Sequence, residues 1–411
     1  MSWRKVTLGD ISSNIQTGPF GSQLHQSDYS EEGTPVVMPK DLLNGHISEA
    51  SIARVSEDHV SRLSRHMIEV GDILYSRRGD VGRCAFATEL EQGWLCGTGC
   101  LRVTIDRNKA IPKFVFYQLQ KAETVGWVEK HAVGATMLNL NTSILSSVPI
   151  EMPSLEKQQT IVDVLSTYDS LIENNQKQIK LLEEAAQRLY KEWFVDLRFP
   201  GHETVPIVEG VPEGWQLSTV GECSAILRRG ISPKYNEEGP SIVINQKCIR
   251  QSVVDLGEAR RQEKAFAEEI NLTDSDTVIC STGAGTLGRV GQVFGNLPHT
   301  TFDSHVTLVR ASENIGKQYL YQFLKSKQEY LQGMGKGSTN QLELSRSTIQ
   351  ELPILTPDCI MSEMFEQQAQ RIHDKIAVLS KQIAFLREAR DILLPKLMSG
   401  EIEMQFPKRL C

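Results

Sequence analysis

The chain has 411 residues, with 44 Lys and Arg against 51 Asp and Glu, for a formal charge of −7. That is too long for one ordinary hydrophobic core and too acidic for a free-standing nucleic-acid binder, whose affinity comes mainly from phosphate neutralisation. No apolar run approaches the roughly 18 residues of a membrane span, and the opening MSWRKVTLGD lacks the apolar stretch of a secretion signal.

Residues 1–152 read as a mixed α/β domain. TPVVMP and CLRVTID have the alternation of strands, and PKFVFYQLQKAE has helical spacing. GDILYSRRGDVGR, from Gly71, reads as a strand running into a Gly-rich turn. Residues 153–199 read as one long spacer helix. Its apolar positions step by four and three: Ile161, Leu165, Tyr168, Ile172, then Ile179, Leu182, Ala186, Leu189 and Trp193. Such a heptad specifies a coiled-coil seam rather than a surface helix. Asn175 is the polar member of the series, a residue type that fixes register at some cost in stability. Pro153 stands just before the helix and Gly201 is the expected stop.

Residues 200–212, rich in Pro and Gly, read as a linker. Residues 213–356 read as a second mixed domain, with SIVIN and SHVTLVR as strands and GKQYLYQFLKSKQEYL as helix. Residues 357–400 read as a second spacer helix, entered after Pro357 and stopped by Gly400, with 401–411 a tail. Its seam is Phe365, Ala369, Ile372, Ile376, Leu379, Ile383, Leu386, Leu393 and Leu397, with Arg390 near the seam edge, its stem buried and its head in water.

The second half repeats the first. LIENNQKQIKLLEEA from Leu171 and KIAVLSKQIAFLREA from Lys375 match at seven of fifteen positions when slid by 204 residues. VPIEMP from Val148 meets LPILTP from Leu352, GATMLNL from Gly134 meets GSTNQLEL from Gly337, and WRKVTLGD at Trp3 meets WQLSTVGE at Trp215. The preserved order marks an internal duplication, each copy a mixed domain trailing a long helix. The fold class expected is therefore α+β, with two tandem mixed α/β domains and two long coiled-coil helices.

Catalytic patterns are sparse. GAGTLG at Gly283 fits GxGxxG, but RVGQVFGNL after it reads as strand and turn, whereas the dinucleotide fingerprint opens a helix. No GxxxxGK[ST], HExxH or GxSxG occurs, and the nine His are dispersed. The eight Cys form no CxxC pairs or His-spaced clusters, so no metal site or disulfide framework is indicated and a reduced, cytoplasmic setting is expected. A non-catalytic chain is the stronger expectation.

Two mixed domains, each followed by a heptad helix, resemble the specificity subunit of Type I restriction-modification enzymes. The resemblance is carried by the openings at Trp3 and Trp215, the strand and Gly turn at Gly71 and Asp276, and the G[AS]T elements at Gly134 and Gly337. The segments ending LYKEWF and LLPKLMSGEIE carry it too. It implies two target recognition domains in pseudo-two-fold arrangement, each reading one half of an asymmetric bipartite site on double-stranded DNA. It implies helices packed antiparallel to set half-site spacing and to dock two methyltransferase subunits, with restriction subunits as a further partner. It implies no cofactor in this chain; S-adenosylmethionine, ATP and Mg would belong to partner subunits. No membrane partner is expected. A non-catalytic scaffold that uses its coiled coil to bind proteins is the alternative.

Residues 1–150 carry 15 Lys and Arg against 16 Asp and Glu, as do residues 213–356, so placement rather than net charge decides where DNA would bind. Base reading needs Arg, Lys, Asn, Gln, Ser or Thr on loops and helix ends. In the first copy the candidates are Arg77 and Arg78 on the Gly turn, Arg83 beyond it, Lys40, Thr136 with Asn139, and Gln23 with His25. In the second they are Arg228, Arg229, Lys247, Arg250, Thr282, Arg289, Ser338, Thr339 and Asn340. For each, a solvated surface charge or a turn hydrogen bond is the competing role.

Overall fold

The computed structural model describes residues 3–134, 137–250, 252–283, 285–335 and 342–402. They fall into two compact units. The first is the chain up to Ile172 and again from Phe385 onward; the second is Glu173–Ala384. The division lies inside both long helices.

In the first unit, the central strand Cys100–Ile105 pairs antiparallel with Ser12–Thr17 on one side and Ile73–Ser76 on the other, and Cys84–Phe86 extends the sheet. Ile73–Ser76 is buried along its whole length, which is why it reads as an apolar run rather than an alternation. A smaller sheet holds Thr34–Val37 between Leu95–Cys96, parallel to it, and Ala53–Val55, antiparallel. The ribbon of Arg4–Thr7 with Pro149–Met152 ties the start of the domain to the segment that enters the first long helix.

The second unit repeats this plan. Val306–Ala311 is flanked by Ser224–Arg229 and Thr277–Cys280, with Val290–Gln292 beyond. Ser241–Ile244 centres the smaller sheet, and Gln216–Thr219 pairs with Pro353–Thr356. One difference is topological. The hairpin Ile249–Arg250/Val253–Val254 joins the main sheet through Val253 and Gln292, whereas Leu42–Leu43/His46–Ile47 forms its own two-stranded sheet.

The first long helix is Leu155–Tyr190 and the second Cys359–Ser399. In each unit a stretch of one packs antiparallel to a stretch of the other. In the first unit, Ile161, Val162 and Leu165 share a core with Leu397, Met398, Phe114 and Tyr117. Asp169 there accepts from the Tyr117 hydroxyl at 2.6 Å and from Arg390 Nη1 at 3.0 Å. In the second unit, Asn175 Nδ2 donates to Gln382 Oε1 at 3.3 Å, and Tyr190, Trp193 and Phe194 surround Phe365. All the apolar seam positions read from the heptad are buried or half-buried.

Three expectations change. The Arg390 head is not left to water: it lies between Asp169 and Asp391. The first helix does not run to 199; a π-helical turn, Lys191–Val195, ends it, placing Trp193 and Phe194 together in the core. The first left-handed residue after that turn is Leu197, at φ 55°, with Gly201, at φ 85°, four residues further on. The linker is also less free than its composition implies. Phe199 beside it is 2% exposed, with its ring 4.9 Å from Trp215, and Ile207–Val208 pairs with Val211–Pro212. Its residues follow local turn chemistry, but apolar side chains at its edge find a core to enter.

The second unit has a partly open pocket of about 240 Å³ whose lining includes Glu183, Tyr321, Gln322, Lys325 and His373. Burial pushes the Glu183 carboxyl up to about 7, against a smaller downward pull from Lys325, with Glu184 adding a further rise. The folded chain thus holds this proton where the unfolded chain, near 4.5, has released it. Its contribution to stability is complete at acid pH and is lost as pH rises toward 7.

Two outcomes follow for unfolding. Phe365 is fully buried, so Phe365→Ala should cost about 3–5 kcal/mol, measured by denaturant midpoint, while Leu171→Ala at a 45% exposed site should cost roughly 0.5 kcal/mol or less. Glu183→Gln should flatten the decline in melting temperature between about pH 4.5 and 7 relative to the parent chain; parallel profiles would refute the role given to this carboxyl.

Candidate nucleic-acid interface

Strand Ile73–Ser76 delivers Arg77 and Arg78 to a turn clamped from both sides. Arg77 donates its backbone N–H to Gly99 O at 2.8 Å and accepts from Leu140 N at 2.8 Å. Arg78 forms a bridge with Asn139, and Gly79 N donates to Leu138 O at 3.1 Å. The Ser76 hydroxyl closes the turn on Arg78 O at 3.1 Å. Backbone pairing of this kind holds the turn still while leaving its side chains free.

The second unit builds the same clamp from different residues. Leu344 N donates to Ser281 O at 2.8 Å, and Thr282 bridges Glu343. These are the positions 204 residues beyond Leu140, Arg77, Arg78 and Asn139. One backbone framework therefore carries an Arg–Arg pair with an Asn in the first unit, and Ser–Thr with a Glu in the second, where Ser281 is fully buried with its hydroxyl on Thr307.

The candidates divide by what already holds them. Arg78 is exposed and its guanidinium is without a partner among the described residues. Arg77 lies over the Phe20 ring at 5.8 Å. Gln23 shapes that loop, its Oε1 accepting from Phe20 N at 3.2 Å. The His25 backbone N–H donates to Asp28 at 2.8 Å. Asn139 uses its backbone on Val133. Arg83 is in a two-contact ion pair with Asp80, at 3.1 and 2.8 Å, and Lys40 Nζ donates to Ser51 O at 2.6 Å.

In the second unit Arg229 is drawn inward, bonded to Glu343 and to the carbonyls of Ser281 and Leu344. Arg228 faces Glu269 at 3.7 Å and Arg250 faces Glu258 at 3.5 Å. Arg289 donates to Gly285 O at 2.8 Å, and the Thr282 hydroxyl lies 2.6 Å from His305 Nδ1. Lys247 stands exposed. Thr136, Ser338, Thr339 and Asn340 lie outside the described residues. The clamp thus gathers Arg77, Arg78 and Asn139 in one unit, and Arg229 with Thr282 in the other. Lys40, Lys247 and Arg250 sit on neighbouring turns.

One arginine escaped the sequence reading. Arg260, on strand Arg260–Gln262, is exposed and stacks on Tyr235 at 3.6 Å from the ring centroid. The Arg260–Arg261 doublet was visible, but it stands on no Gly turn, and only the fold brings Tyr235 to it.

GAGTLG closes a hairpin. Gly283, Gly285 and Gly288 all have positive φ, Gly288 N donates to Cys280 O at 2.8 Å, and strand Val290–Gln292 follows. There is no helix N-terminus after it to receive a pyrophosphate.

A family model described as "Type I restriction modification DNA specificity domain" matches residues 1–184 and 212–389. The MjaIX Type I restriction enzyme specificity subunit of Methanocaldococcus jannaschii is 27% identical over 386 residues, covering 90% of this chain and 87% of its own. The HindI specificity subunit of Haemophilus influenzae is 25% identical, covering 97% and 99%. The crystal structure of a Type I restriction-modification S subunit from M. genitalium superposes with a TM-score of 0.55 at 20% identity, over 98% of this chain and 97% of that one; it supports the fold.

Proposed function

The chain belongs to the Type I restriction-modification DNA specificity family, and we propose that its two recognition domains each read one half of an asymmetric bipartite site on double-stranded DNA. The carrying observation is the repeated clamp. Arg77–Arg78 with Asn139 and Ser281–Thr282 with Glu343 occupy one framework with unlike chemistry. Arg favours guanine edges and Arg78 is free to reach one, whereas Ser281 is buried, Glu343 is bound by Arg229 and the Thr282 hydroxyl by His305, so the second turn offers no matching arginine. Two copies of one scaffold with different reading groups would recognise different half-sites.

In this proposal the paired helices set the distance between half-sites and dock two methyltransferase subunits, with restriction subunits joining them. Exposed apolar residues on the helices favour a protein-binding role: Leu171, Phe385 and Ile392 in the first unit, Leu181, Val378 and Ile360 in the second. Catalysis would reside in the partners, which would bring S-adenosylmethionine, ATP and Mg. Partners that also grip the DNA would supply the phosphate neutralisation that a chain of charge −7 lacks. The expected setting is the cytoplasm.

Mapping methylated adenines in cellular DNA with and without this gene tests the reading directly; a bipartite motif should disappear with it. Arg78→Ala should relax one half of that motif, by about 1–3 kcal/mol if Arg78 touches a base, and leave the other half intact. Inserting one heptad into the 161–193 stretch alone displaces the partners of Asn175 and Asp169 on the facing helix, so the methylated motif should change its spacer or vanish. An unchanged spacer would remove the helices from any role in spacing.

A further inference from the structure

In both units the edge strand of the main sheet runs into a glycine that packing makes obligatory. A Cβ on Gly18 would meet the Gly97 carbonyl oxygen at 2.0 Å, and one on Gly230 would meet the Phe302 carbonyl oxygen at 2.1 Å. The loop beyond each glycine exposes one aromatic ring, Phe20 at 52% and Tyr235 at 41%. Over each ring lies a guanidinium: Arg77 at 5.8 Å and Arg260 at 3.6 Å from the centroid.

The two arginines do not correspond under the repeat. Arg77 follows strand Ile73–Ser76, and Arg260 opens a strand of the smaller sheet. The same arrangement has therefore been reached from different positions, which inheritance from a common copy does not explain. Both loops also start beside the clamp. Gly18 N donates to Cys100 O, while Arg77 N donates to Gly99 O. Ile231 N donates to Phe302 O at 3.0 Å, one residue from the Asp303 whose carboxylate holds His305, the partner of Thr282.

Arg77 and Arg260 share with Arg78 the lack of a carboxylate partner among the described residues, and the ring beneath each sets them apart from it. Arg83, Arg228, Arg229 and Arg250 each face a carboxylate; among the described residues Arg77 and Arg260 face none. Glu263, just beyond the strand that Arg260 opens, is engaged by Lys234 and Asn236. Arg260, stacked and exposed, keeps its N–H edge open, whereas Arg77 buries its Nε and is left its terminal nitrogens. A guanidinium held over a ring in this way can meet the two acceptors of guanine in the major groove. A phosphate can take the same fork, but a contact to it carries no base preference.

We infer that Arg77 on Phe20 and Arg260 on Tyr235 are specificity-determining residues, each reading one guanine in its own half-site. This rests on the half-site reading proposed above and names the base and the side chains. The test uses the full chain with its methyltransferase partner, the methylated motif in host DNA, and competition by duplexes altered at each motif position. Arg260→Lys keeps the charge and removes the fork. It should reduce discrimination at a single G·C pair of one half-site by roughly 5- to 150-fold and leave the other half unchanged; Arg77→Lys should do the reverse. Tyr235→Ala and Phe20→Ala should relax the same positions more weakly.

Equal loss on every duplex would mark backbone contacts. That result, or discrimination unchanged at every position, would overturn the inference while leaving the bipartite reading in place. A parent complex whose methylated motif is not bipartite would overturn the half-site reading, and this inference with it.

Discussion

Each unit is organised around the seam where the two long helices meet, and the polar groups on that seam decide how they meet. Apolar heptad residues would pack in several registers at nearly equal cost, because a slip by one heptad replaces one aliphatic contact with another. Asp169 removes that freedom in the first unit. Its two oxygens are taken by Tyr117, from the recognition domain, and by Arg390, from the facing helix. A slip would strand a half-buried carboxylate and a guanidinium together, which is far more costly than losing a methyl contact. In the second unit Asn175 and Gln382 supply the cross-helix bond. His373, 204 residues beyond Asp169, faces the domain instead, bonded to Gln292 at 3.0 Å and Asp274 at 3.1 Å.

Upon that seam the duplication preserves backbone and lets side chains diverge. Main-chain hydrogen bonds do not depend on residue type, so the Arg77–Leu140 and Ser281–Leu344 pairs survive together, although Arg and Ser have nothing in common chemically. A specificity protein benefits from this separation. The parts that hold a reading turn in place are insensitive to substitution, and the parts that read can change without disturbing the fold.

Burial explains why the heptad reading and the candidate DNA residues were so unequally legible. Periodicity reports which side of a helix avoids water, and every apolar seam residue from Ile161 to Leu397 duly lies buried or half-buried. Charge has no comparable pattern along the chain. Arg83 and Arg78 are five residues apart on the same turn, yet one is bound to Asp80 and the other is free among the described residues. Arg229 reads as an exposed base reader but serves as an internal tether between Glu343 and two carbonyls. Arg260 is the opposite case, unremarkable in sequence and set on an aromatic face by the fold.

Read alone, the order of amino acids establishes the duplication, the α+β class, the two heptad helices and the strand leading to Arg77, because each leaves a local or periodic trace: apolar spacing, glycine turns, and repeated words in the same order. It does not reveal where the first helix ends, since the π-helical turn at Lys191–Val195 answers to the core that Trp193 and Phe194 enter. Nor does it reveal which charges are already paired. Ion pairs such as Arg390 with Asp169 and stacks such as Arg260 with Tyr235 join residues 221 and 25 apart in the chain. Contacts of that kind exist only once the sheets and helices have brought their elements together, so tertiary structure alone selects which arginines remain available.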